Sequence, residues 1–412
     1  MPRFLIVFLF ACTLSATAAS ADTITVCLDG GCDHTDIQAA IDAASDGDVI
    51  EIAEGTYLPA ATIDTFGKAV TLRGTVDKAG NPTTIIDGQN SFRVFQCSSG
   101  EDIDTVFENL WITGGSAQNG GGMYCLTSCP TLDTCVFQQN SATDDGGAIY
   151  CNNDSNPNLT NCIFLDNFTI DEDGGGMSCT LNSSPILNGC MFEANEAKGD
   201  GGGLYSNDGS NPSLTNCIFR NNKSEEEGGG MFCINNSPTL SGCTFVMNTA
   251  ENDGGGIYCN DSANPTLNNC EFRNNSATTY DGGGMSCTLN SSPSLTSCVF
   301  EGNSATRNAD NLYCQDNSNP VLTNCTFTEC CEVYPTVGYI DNGGNLFAGQ
   351  PHVACEDCRA DVNCDGIVDS ADLGLILSGW GSDITQYDVD GDGSVQGGDL
   401  GYLLGTWGVC AP

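Results

Sequence analysis

The sequence predicts an all-β solenoid followed by a small helical module. Three observations support this: a repeat of about 27 residues, strand-like alternation of apolar residues within each repeat, and two acidic twelve-residue loops near the C-terminus. A chain of 412 residues is long enough for one large domain or two unequal ones. We predict a signal peptide over 1–21, the solenoid over 22–350, a linker over 351–359 and the second module over 360–412.

The excess of acidic residues limits the classes of molecule that can bind this protein. The chain has 53 acidic and 11 basic residues, which gives a formal net charge of -42. Such a surface repels phosphate backbones and anionic lipid headgroups. We therefore expect no nucleic-acid partner.

The N-terminal stretch MPRFLIVFLFACTLSATAASA resembles an export signal. One arginine precedes an apolar run from Phe4 to Leu14, and small residues follow at Ala19-Ser20-Ala21. This is the layout of a secretory signal peptide, and we expect cleavage after Ala21. The run is too short to span a bilayer, and no later stretch is typical of a transmembrane segment. We predict a secreted, extracellular or cell-surface protein.

A repeat begins near residue 120. The residue after each glycine cluster recurs with steps of 26, 28, 27, 27, 26, 28 and 27. These residues are Met123, Ile149, Met177, Leu204, Met231, Ile257, Met285 and Leu312. The stretch DGGGMSCTLNSSP occurs at both Asp173 and Asp281, 108 residues apart, which indicates that a block of four coils was duplicated. A period of this length without helical spacing is typical of a solenoid.

Each repeat predicts two short strands with apolar side chains directed inward. Met123 and Cys125 share one face of an extended chain, as do Cys135 and Phe137, because strand side chains alternate. A proline such as Pro130 precedes the second strand, where a missing N–H disturbs the ladder least. The glycines allow a tight corner that closes each coil.

The segment before the repeats carries a family resemblance. Ile37, Ala40, Ile41 and Ala44 predict a short amphipathic helix, and alternating strands follow. With the repeats, this segment resembles the N-terminal cap and first coils of right-handed parallel β-helix proteins of the pectin-lyase-like superfamily. The glycine clusters and F-x-x-N motifs also resemble polymorphic outer-membrane proteins. The resemblance covers about Asp36 to Phe327, and it implies a β-helix with an N-terminal helical cap.

Two polar columns follow from the alignment. Asparagines recur at one corner, where they tolerate left-handed backbone and can bond the coils above and below. They are Asn140, Asn167, Asn195, Asn222, Asn248, Asn275 and Asn303. We predict a structural ladder.

The second column is mostly acidic. It consists of Asn119, Asp145, Asp173, Asp200, Glu227, Asp253, Asp281 and Asn308. Stacked about 4.8 Å apart, these carboxylates repel one another unless cations lie among them. We predict a solvated polar turn. A divalent-ion stripe and a catalytic acid pair stay open as alternatives.

Cysteines form two further columns. One contains Cys125, Cys151, Cys179, Cys233, Cys259, Cys287 and Cys314, with Ser206 as the exception; the other contains Cys135, Cys162, Cys190, Cys217, Cys243, Cys270, Cys298 and Cys325. An exported protein can oxidise such residues, so we predict disulfides within coils, for example Cys179 with Cys190, and one between Cys355 and Cys358. Stacked free thiols are the alternative. Only His34 and His352 are histidines, so the coils do not predict zinc.

Two loops near the C-terminus have calcium-loop spacing. DVNCDGIVDSAD starts at Asp361 and DVDGDGSVQGGD at Asp388, 27 residues later. Oxygen side chains at positions 1, 3 and 5, with glycine at position 6, are typical of such loops. The predicted ligands are Asp361, Asn363, Asp365, the Ile367 carbonyl, Asp369 and Asp372 in the first loop, and Asp388, Asp390, Asp392, the Ser394 carbonyl and Asp399 in the second.

An apolar helix is predicted after each loop, LGLILSGWG and LGYLLGTWG. The two halves together resemble a type I dockerin over nearly all of Ala360 to Gly408. This resemblance implies two bound calcium ions and a cohesin-type partner. The helix-start pairs Ser370-Ala371 and Gly397-Gly398 differ from the Ser/Thr pairs of many cellulosomal dockerins.

The sequence favours binding over catalysis. A lyase of this fold needs an arginine or lysine as base, and the coils offer few: Lys198, Arg220, Lys223, Arg273 and Arg307. The coils also vary little in length, whereas an active site usually requires a larger insertion. We expect a non-catalytic secreted or cell-surface interaction protein with a cell-surface, cohesin-like or polysaccharide partner. The alternative is a polysaccharide lyase or glycoside hydrolase; we assign no catalytic residue.

Overall fold

The computed structural model describes residues 21–307, 309–328, 333–335, 339–347, 360, 367–368, 370–381, 389 and 394–409. Over most of this length the chain winds into a parallel coil with four sheets along its sides. The predicted signal peptide, apart from Ala21, and the predicted linker lie outside the described residues. No helix among those described is long and apolar enough to cross a membrane.

The four sheets are named A to D. Sheet A has 13 strands: Thr23–Val26, Val49–Ile52, Thr71–Arg73, Val106–Glu108, Thr131–Asp133, Asn158–Thr160, Ile186–Asn188, Ser213–Thr215, Thr239–Ser241, Thr266–Asn268, Ser294–Thr296, Val321–Thr323 and Ile340–Asp341. Sheet B has 12: Gly55–Tyr57, Thr84–Asp87, Leu110–Thr113, Val136–Gln138, Ile163–Leu165, Met191–Glu193, Ile218–Arg220, Thr244–Val246, Glu271–Arg273, Val299–Glu301, Thr326–Phe327 and Leu346–Phe347. Sheet C has 11: Ile63–Asp64, Phe95–Cys97, Met123–Leu126, Ile149–Asn152, Met177–Thr180, Leu204–Ser206, Met231–Ile234, Ile257–Asn260, Met285–Cys287, Leu312–Cys314 and Val333–Pro335. Sheet D has 8: Ser116–Ala117, Ser141–Ala142, Phe168–Thr169, Glu196–Ala197, Lys223–Ser224, Thr249–Ala250, Ser276–Ala277 and Ser304–Ala305.

The pairing register confirms the predicted repeat. In sheet C, Met123 pairs with Ile149 and Ile149 with Met177, and the same register continues to Leu312. All these pairs are parallel. Each coil therefore advances by one strand spacing per repeat, as the aligned glycine clusters indicate.

The predicted number of strands per coil was wrong. A typical coil has four strands, not two, as in Met123–Leu126, Thr131–Asp133, Val136–Gln138 and Ser141–Ala142. The predicted second strand breaks because Thr134 and Gln139 adopt positive φ angles of 53°. A single left-handed residue turns an extended chain sharply, so each such residue makes a corner.

Aromatic side chains stack along the interior. One phenylalanine per coil, from Phe137 to Phe327, is fully buried, and successive rings lie 4.3 to 5.4 Å apart between centroids. Leucines of sheet A and the methionine, isoleucine and leucine positions of sheet C fill the rest of the core. Each coil covers the apolar face of its neighbour, which is how a solenoid obtains a continuous core.

The asparagine ladder is confirmed. Asn140, Asn167, Asn195, Asn222, Asn248, Asn275 and Asn303 are buried, and from Asn140 to Asn275 each donates its side-chain amide to the carboxamide oxygen of the next. Left-handed backbone occurs one residue earlier than expected, as at Asn221 with a φ of 55°. The ladder asparagines thus supply hydrogen bonds, while their predecessors supply the corner.

The predicted disulfides in the coils were wrong. The cysteines of both columns are buried free thiols. Cys179 lies in sheet C, whereas Cys190 lies between sheets A and B and donates its S–H toward the carbonyls of Leu159 and Asn188. The two columns run along different sides of the coil, so each thiol stacks on the equivalent residues of adjacent coils. The described disulfide joins Cys27 and Cys32 instead.

The glycine corners are sterically constrained. Gly174 adopts a φ of 69°, which L-residues avoid. At Gly176 an added Cβ would lie 2.5 Å from the Gly203 carbonyl oxygen of the next coil and 2.9 Å from the Phe192 ring. The repeated glycines therefore permit both the turn and the close stacking of coils.

The predicted N-terminal helix is present. Helix α1, Ile37–Ala43, begins after Asp36, whose carboxylate accepts the Ala39 N–H at 2.8 Å. Ile37, Ala40 and Ile41 are buried, and the helix packs on strands Thr23–Val26, Val49–Ile52 and Ile63–Asp64.

The C-terminal part contains two helices, α2 over Ser370–Ser378 and α3 over Gly397–Gly405. The helices contact each other, and short antiparallel strands Ile367–Val368 and Gly408–Val409 pair beside them. A separate apolar cluster forms their core: Ala360, Val368, Ile376, Val389, Val395 and Leu403.

Candidate functional site

The acidic column lies beside sheet C at the glycine corner. It is defined here as Asp145, Asp173, Asp200, Glu227, Asp253 and Asp281; Asn308 lies outside the described residues. Successive members are tied together, since Asp173 accepts the Asp200 N–H at 2.8 Å and Asp200 accepts the Glu227 N–H at 2.9 Å. Each of these carboxylates therefore also has a structural role.

An aromatic row runs along the outer side of sheet C, next to the acidic column. It consists of Tyr124, Tyr150, Tyr205, Phe232, Tyr258 and Tyr313. The Tyr205 and Phe232 rings stack at 5.3 Å, and the Tyr205 hydroxyl accepts a hydrogen bond from the Asn207 side-chain amide at 3.1 Å. Most of these rings are buried, so apolar ring surface replaces water beside the carboxylates.

The expectation of a solvated turn was wrong. Asp281 is buried and the other five carboxylates are half-buried. Burial is the main cause that raises the pKa of Asp145 to about 7 and the pKa values of Asp173 and Asp253 to about 6. Burial, followed by the hydrogen bond from neighbouring Glu227, raises the pKa of Asp200 to about 9.

Asp200, Glu226 and Glu227 form a cluster. One carboxylate oxygen from each lies within 4.8 Å of the others. Among the described residues this is the one group of three acidic, histidine or cysteine ligands that close together. The raised pKa of Asp200 allows its carboxyl group to act as a proton donor, and oxygen donors at this spacing suit a hard cation. The ion stripe and the acid pair are both untested.

Two serines interrupt the aromatic row. Ser178 and Ser286, 108 residues apart, are buried, and neither hydroxyl has a hydrogen-bond partner. Tyr150 leans across the first gap to Thr180, with 3.0 Å between their oxygens, and Tyr258 reaches Thr288 at 2.9 Å. The alignment of the repeats did not predict this feature, although the stretch DGGGMSCTLNSSP, whose two copies contain these serines, is duplicated without change.

Of the five basic residues considered as a lyase base, four are ion-paired, whereas Arg307 lies over the Tyr280 ring at 5.4 Å from its centroid. Arg220 pairs with Glu193 at 2.6 Å, and Lys223 with Glu196 at 2.7 Å. Lys198 pairs with Glu225, and Arg273 with both Glu271 and Glu301. Arg220 and Arg273 occupy the same row of sheet B two coils apart, because both pair with Val246.

The predicted calcium ligands are only partly described. Asp361, Asn363, Asp365, Asp369, Asp388, Asp390 and Asp392 lie outside the described residues. Asp372 and Asp399 occupy the first turns of α2 and α3, and both are fully buried. Asp399 accepts the Gln396 N–H at 2.8 Å. Ile367 pairs with Val409, and Ser394 lies two residues before Gln396. Buried carboxylates at equivalent positions fit hard-cation ligation.

A protein-family model described as the right-handed β-helix region matches residues 80–249, 200–306 and 239–385. These overlapping matches cover more than half of the sequence. The chain belongs to the right-handed β-helix family. The last match extends past residue 350 into the predicted second module. Among curated proteins, none matches the sequence.

Several solved structures are similar to this chain at low sequence identity. Pectate lyase Pel9A is 13% identical, with 82% of this chain and 83% of that chain covered and a TM-score of 0.45. ORF18 of Geobacillus virus E2 is 14% identical, covering 76% and 58%, with a TM-score of 0.42. A mannuronic acid specific polysaccharide family 6 lyase from human gut microbiota is 12% identical, covering 80% and 91%, with a TM-score of 0.37. None of these similarities carries an argument about activity.

Proposed function

We propose that this right-handed β-helix protein is a non-catalytic, extracellular binding protein. Its coils form a rigid binding surface, and residues 360–412 form a calcium-dependent attachment module. The observation that carries the proposal is the pairing of Lys198, Arg220, Lys223 and Arg273 with glutamates.

These ion pairs are the wrong arrangement for a lyase base. A general base must be able to lose its proton near the working pH. Glu196 instead raises the pKa of Lys223, because its carboxylate accepts a hydrogen bond from the ammonium group. A bound uronate would also have to compete with the glutamates for each cation. Acidic polysaccharides are therefore disfavoured both as substrates and as ligands at these positions.

The attachment module rests on the repeated halves of the C-terminal sequence. Asp372 and Asp399, 27 residues apart, would hold calcium together with the loop oxygens predicted from sequence. Calcium would neutralise the buried carboxylates and fix the start of each helix. Exposed apolar side chains also recur at this spacing: Leu377 and Trp380 in the first half, Leu404 and Trp407 in the second. The dockerin resemblance implies a cohesin-like or other cell-surface protein as partner.

The proposal is tested with the full chain against a panel of polysaccharides, with and without calcium. Binding and the release of reducing or unsaturated ends are measured in parallel. We expect no released ends with any polysaccharide. Release by the wild type that is lost in Asp200→Asn and Glu227→Gln variants would refute a non-catalytic role.

The second candidate is a carbohydrate-active enzyme, and the Asp200–Glu227 pair favours it. Asp200 is protonated at neutral pH, while Glu227 lies within reach of its carboxyl group. Such a pair resembles an acid and a base in glycoside hydrolysis. This candidate predicts hydrolytic release of reducing ends, with a pH optimum below 9 set by Asp200.

A further inference from the structure

The outer face of sheet B carries an unusual apolar row in its first half. It consists of Ile85, Trp111, Val136, Ile163, Met191 and Ile218, which are successive register partners. The row then becomes polar, because Ile218 is followed by Thr244 and Glu271. The inward neighbours, such as Phe137 and Phe164, are fully buried, whereas the row itself is half-buried apart from buried Val136 and exposed Ile218.

A loop converts the row into a groove. Residues 75–83 form a projecting turn in which Val76 bridges Pro82. The Asp77 carboxylate accepts the N–H groups of Ala79 at 2.8 Å and Asn81 at 2.9 Å, which fixes the turn. The groove has a volume of about 560 Å³ and is lined by this loop, the first five residues of the row and Leu165.

The surroundings of the groove are acidic. Asp77 and Asp166 are exposed, and Asp87 and Asp133 are half-buried on the strands and corners beside the row. Between residues 75 and 197 the only basic residues are Lys78 and Arg93. Arg93 is held over the Tyr124 ring on sheet C at 4.7 Å. Apart from Lys78 on the loop itself, the groove therefore combines an apolar floor with acidic edges.

From this combination we infer that the apolar row docks a basic amphipathic helix of a partner protein. Five strand spacings of about 4.8 Å give a row of about 24 Å, the length of about 16 helical residues. An apolar helix face would cover the row, and flanking lysines or arginines would meet the acidic edges. The inference rests on the proposed binding function and names its partner class.

Other occupants fit less well. A second copy brings the same net charge of -42 against the same edges. Anionic membranes are repelled for the same reason. A polysaccharide would place hydroxyl groups against mostly aliphatic side chains, with Trp111 as the one aromatic platform in the row. A protein segment with an apolar face and flanking basic residues matches both the apolar floor and the acidic edges of the groove.

The test measures binding of labelled 18-residue peptides to the full chain by fluorescence anisotropy. One peptide has a leucine face flanked by lysine and arginine, a second replaces the basic residues with glutamate, and a third scrambles the basic sequence. We expect the basic amphipathic peptide to bind at least about tenfold more tightly than the other two, because both charge and apolar contact contribute.

Variants locate the site. The double variant Ile163→Thr with Met191→Thr introduces threonine, which already occurs in the same row at Thr244, so we expect the variant to fold. We expect it to bind the basic peptide at least about tenfold more weakly than the wild type. Val299→Thr, in the same row but outside the apolar part, is the matched control and should bind as wild type. Asp133→Asn with Asp166→Asn should also weaken binding, more strongly at low salt.

Several outcomes would overturn the inference. They are equal binding of the scrambled or glutamate peptide, no binding of the basic peptide, and unchanged binding by the double threonine variant with a native melting temperature. Self-association of the wild type that disappears in that variant would assign the row to a second copy. If the basic peptide does not bind and no polysaccharide is cleaved, the docking inference is refuted but the proposed binding function is not. Cleavage of a polysaccharide would refute the proposed binding function whatever the peptide result.

Discussion

The carboxamide oxygen of Asn222 accepts two hydrogen bonds from Asn195, at 3.0 Å from the backbone nitrogen and 2.9 Å from Nδ2. Asn222 in turn donates to the Phe192 carbonyl at 2.9 Å and to Asn248 at 3.0 Å. One side chain thus satisfies buried polar groups of two other coils, one on each side. The asparagine ladder thus links each coil to both of its neighbours by buried hydrogen bonds.

Substitution of Asn222 by alanine should strongly destabilise the coils. Two buried donors of Asn195 and the Phe192 carbonyl lose their partner, and each unsatisfied group costs about 1–3 kcal/mol. We expect the free energy of unfolding, from urea denaturation, to fall by at least about 2 kcal/mol. Asn158→Ala, at a half-buried outward strand position, is the control and should change it little. Equal effects would show that the ladder is not a special source of stability.

The asparagine ladder and the sheet register could be read from the sequence because both follow from periodicity. The burial of the acidic column could not, since it depends on rings such as Tyr205 leaning toward residues one coil away. The corners at Thr134 and Gln139 have no glycine to signal them, so four strands were interpreted as two. The groove was missed because its loop, residues 75–83, precedes the repeats. Most predicted calcium ligands lie outside the described residues, and their assignment stays a prediction.

The acidic column predicts that stability falls as pH rises. The native pKa values of about 6 to 9 exceed the ordinary aspartate value of 3.8, so the folded state holds more protons than the unfolded state. This stabilisation is fully present below pH about 4 and is lost as pH rises through the native pKa values. We expect the melting temperature at pH 5 to exceed that at pH 8 by about 5 °C or more.

Asp200→Asn tests the cause of this pH dependence. Asparagine keeps an oxygen that can accept the Glu227 N–H and is neutral at every pH, whereas the Asp200 carboxyl group, with a pKa of about 9, must take up a proton on folding at pH 8. We expect a higher melting temperature than wild type at pH 8 and a smaller gain at pH 5. Asp154→Asn, at an exposed corner, should behave as wild type at both values. A variant that loses stability at pH 8 would contradict a strained carboxylate at Asp200.

The cysteine columns should contain free thiols even in protein purified without reductant. Cys151 and Cys259 are fully buried, and burial raises the pKa values of their thiols, which suppresses the reactive thiolate. We expect iodoacetamide to label the column cysteines only after unfolding, as mapped by mass spectrometry. Cys129, which is partly exposed, should react in the native state, and Cys129→Ser is the matched control. Column cysteines that require reduction before labelling would restore the disulfide hypothesis.

Calcium binding to the C-terminal module is tested through Asp372 and Asp399. Both side chains are buried at position 12 of their predicted loops, and carboxylate oxygens are ligands that calcium prefers. Calorimetry of the full chain at fixed ionic strength should show about two calcium ions per chain. Asp372→Asn and Asp399→Asn should each remove about one of these ions, because a neutral amide is a weaker calcium ligand than a carboxylate.

The controls separate this module from the acidic column of the coils. Asp154→Asn should keep both ions, and Asp200→Asn with Glu227→Gln should also keep them if the acidic cluster is not a calcium site. If the Asp200→Asn, Glu227→Gln variant binds one ion fewer, a calcium site would be assigned to the coils and the ion stripe would be supported. If the wild type binds no calcium, or if both module variants retain two ions, the paired loops are not calcium sites. The proposal of a calcium-dependent attachment module would then be refuted, whereas the proposed binding surface on sheet B would not be affected.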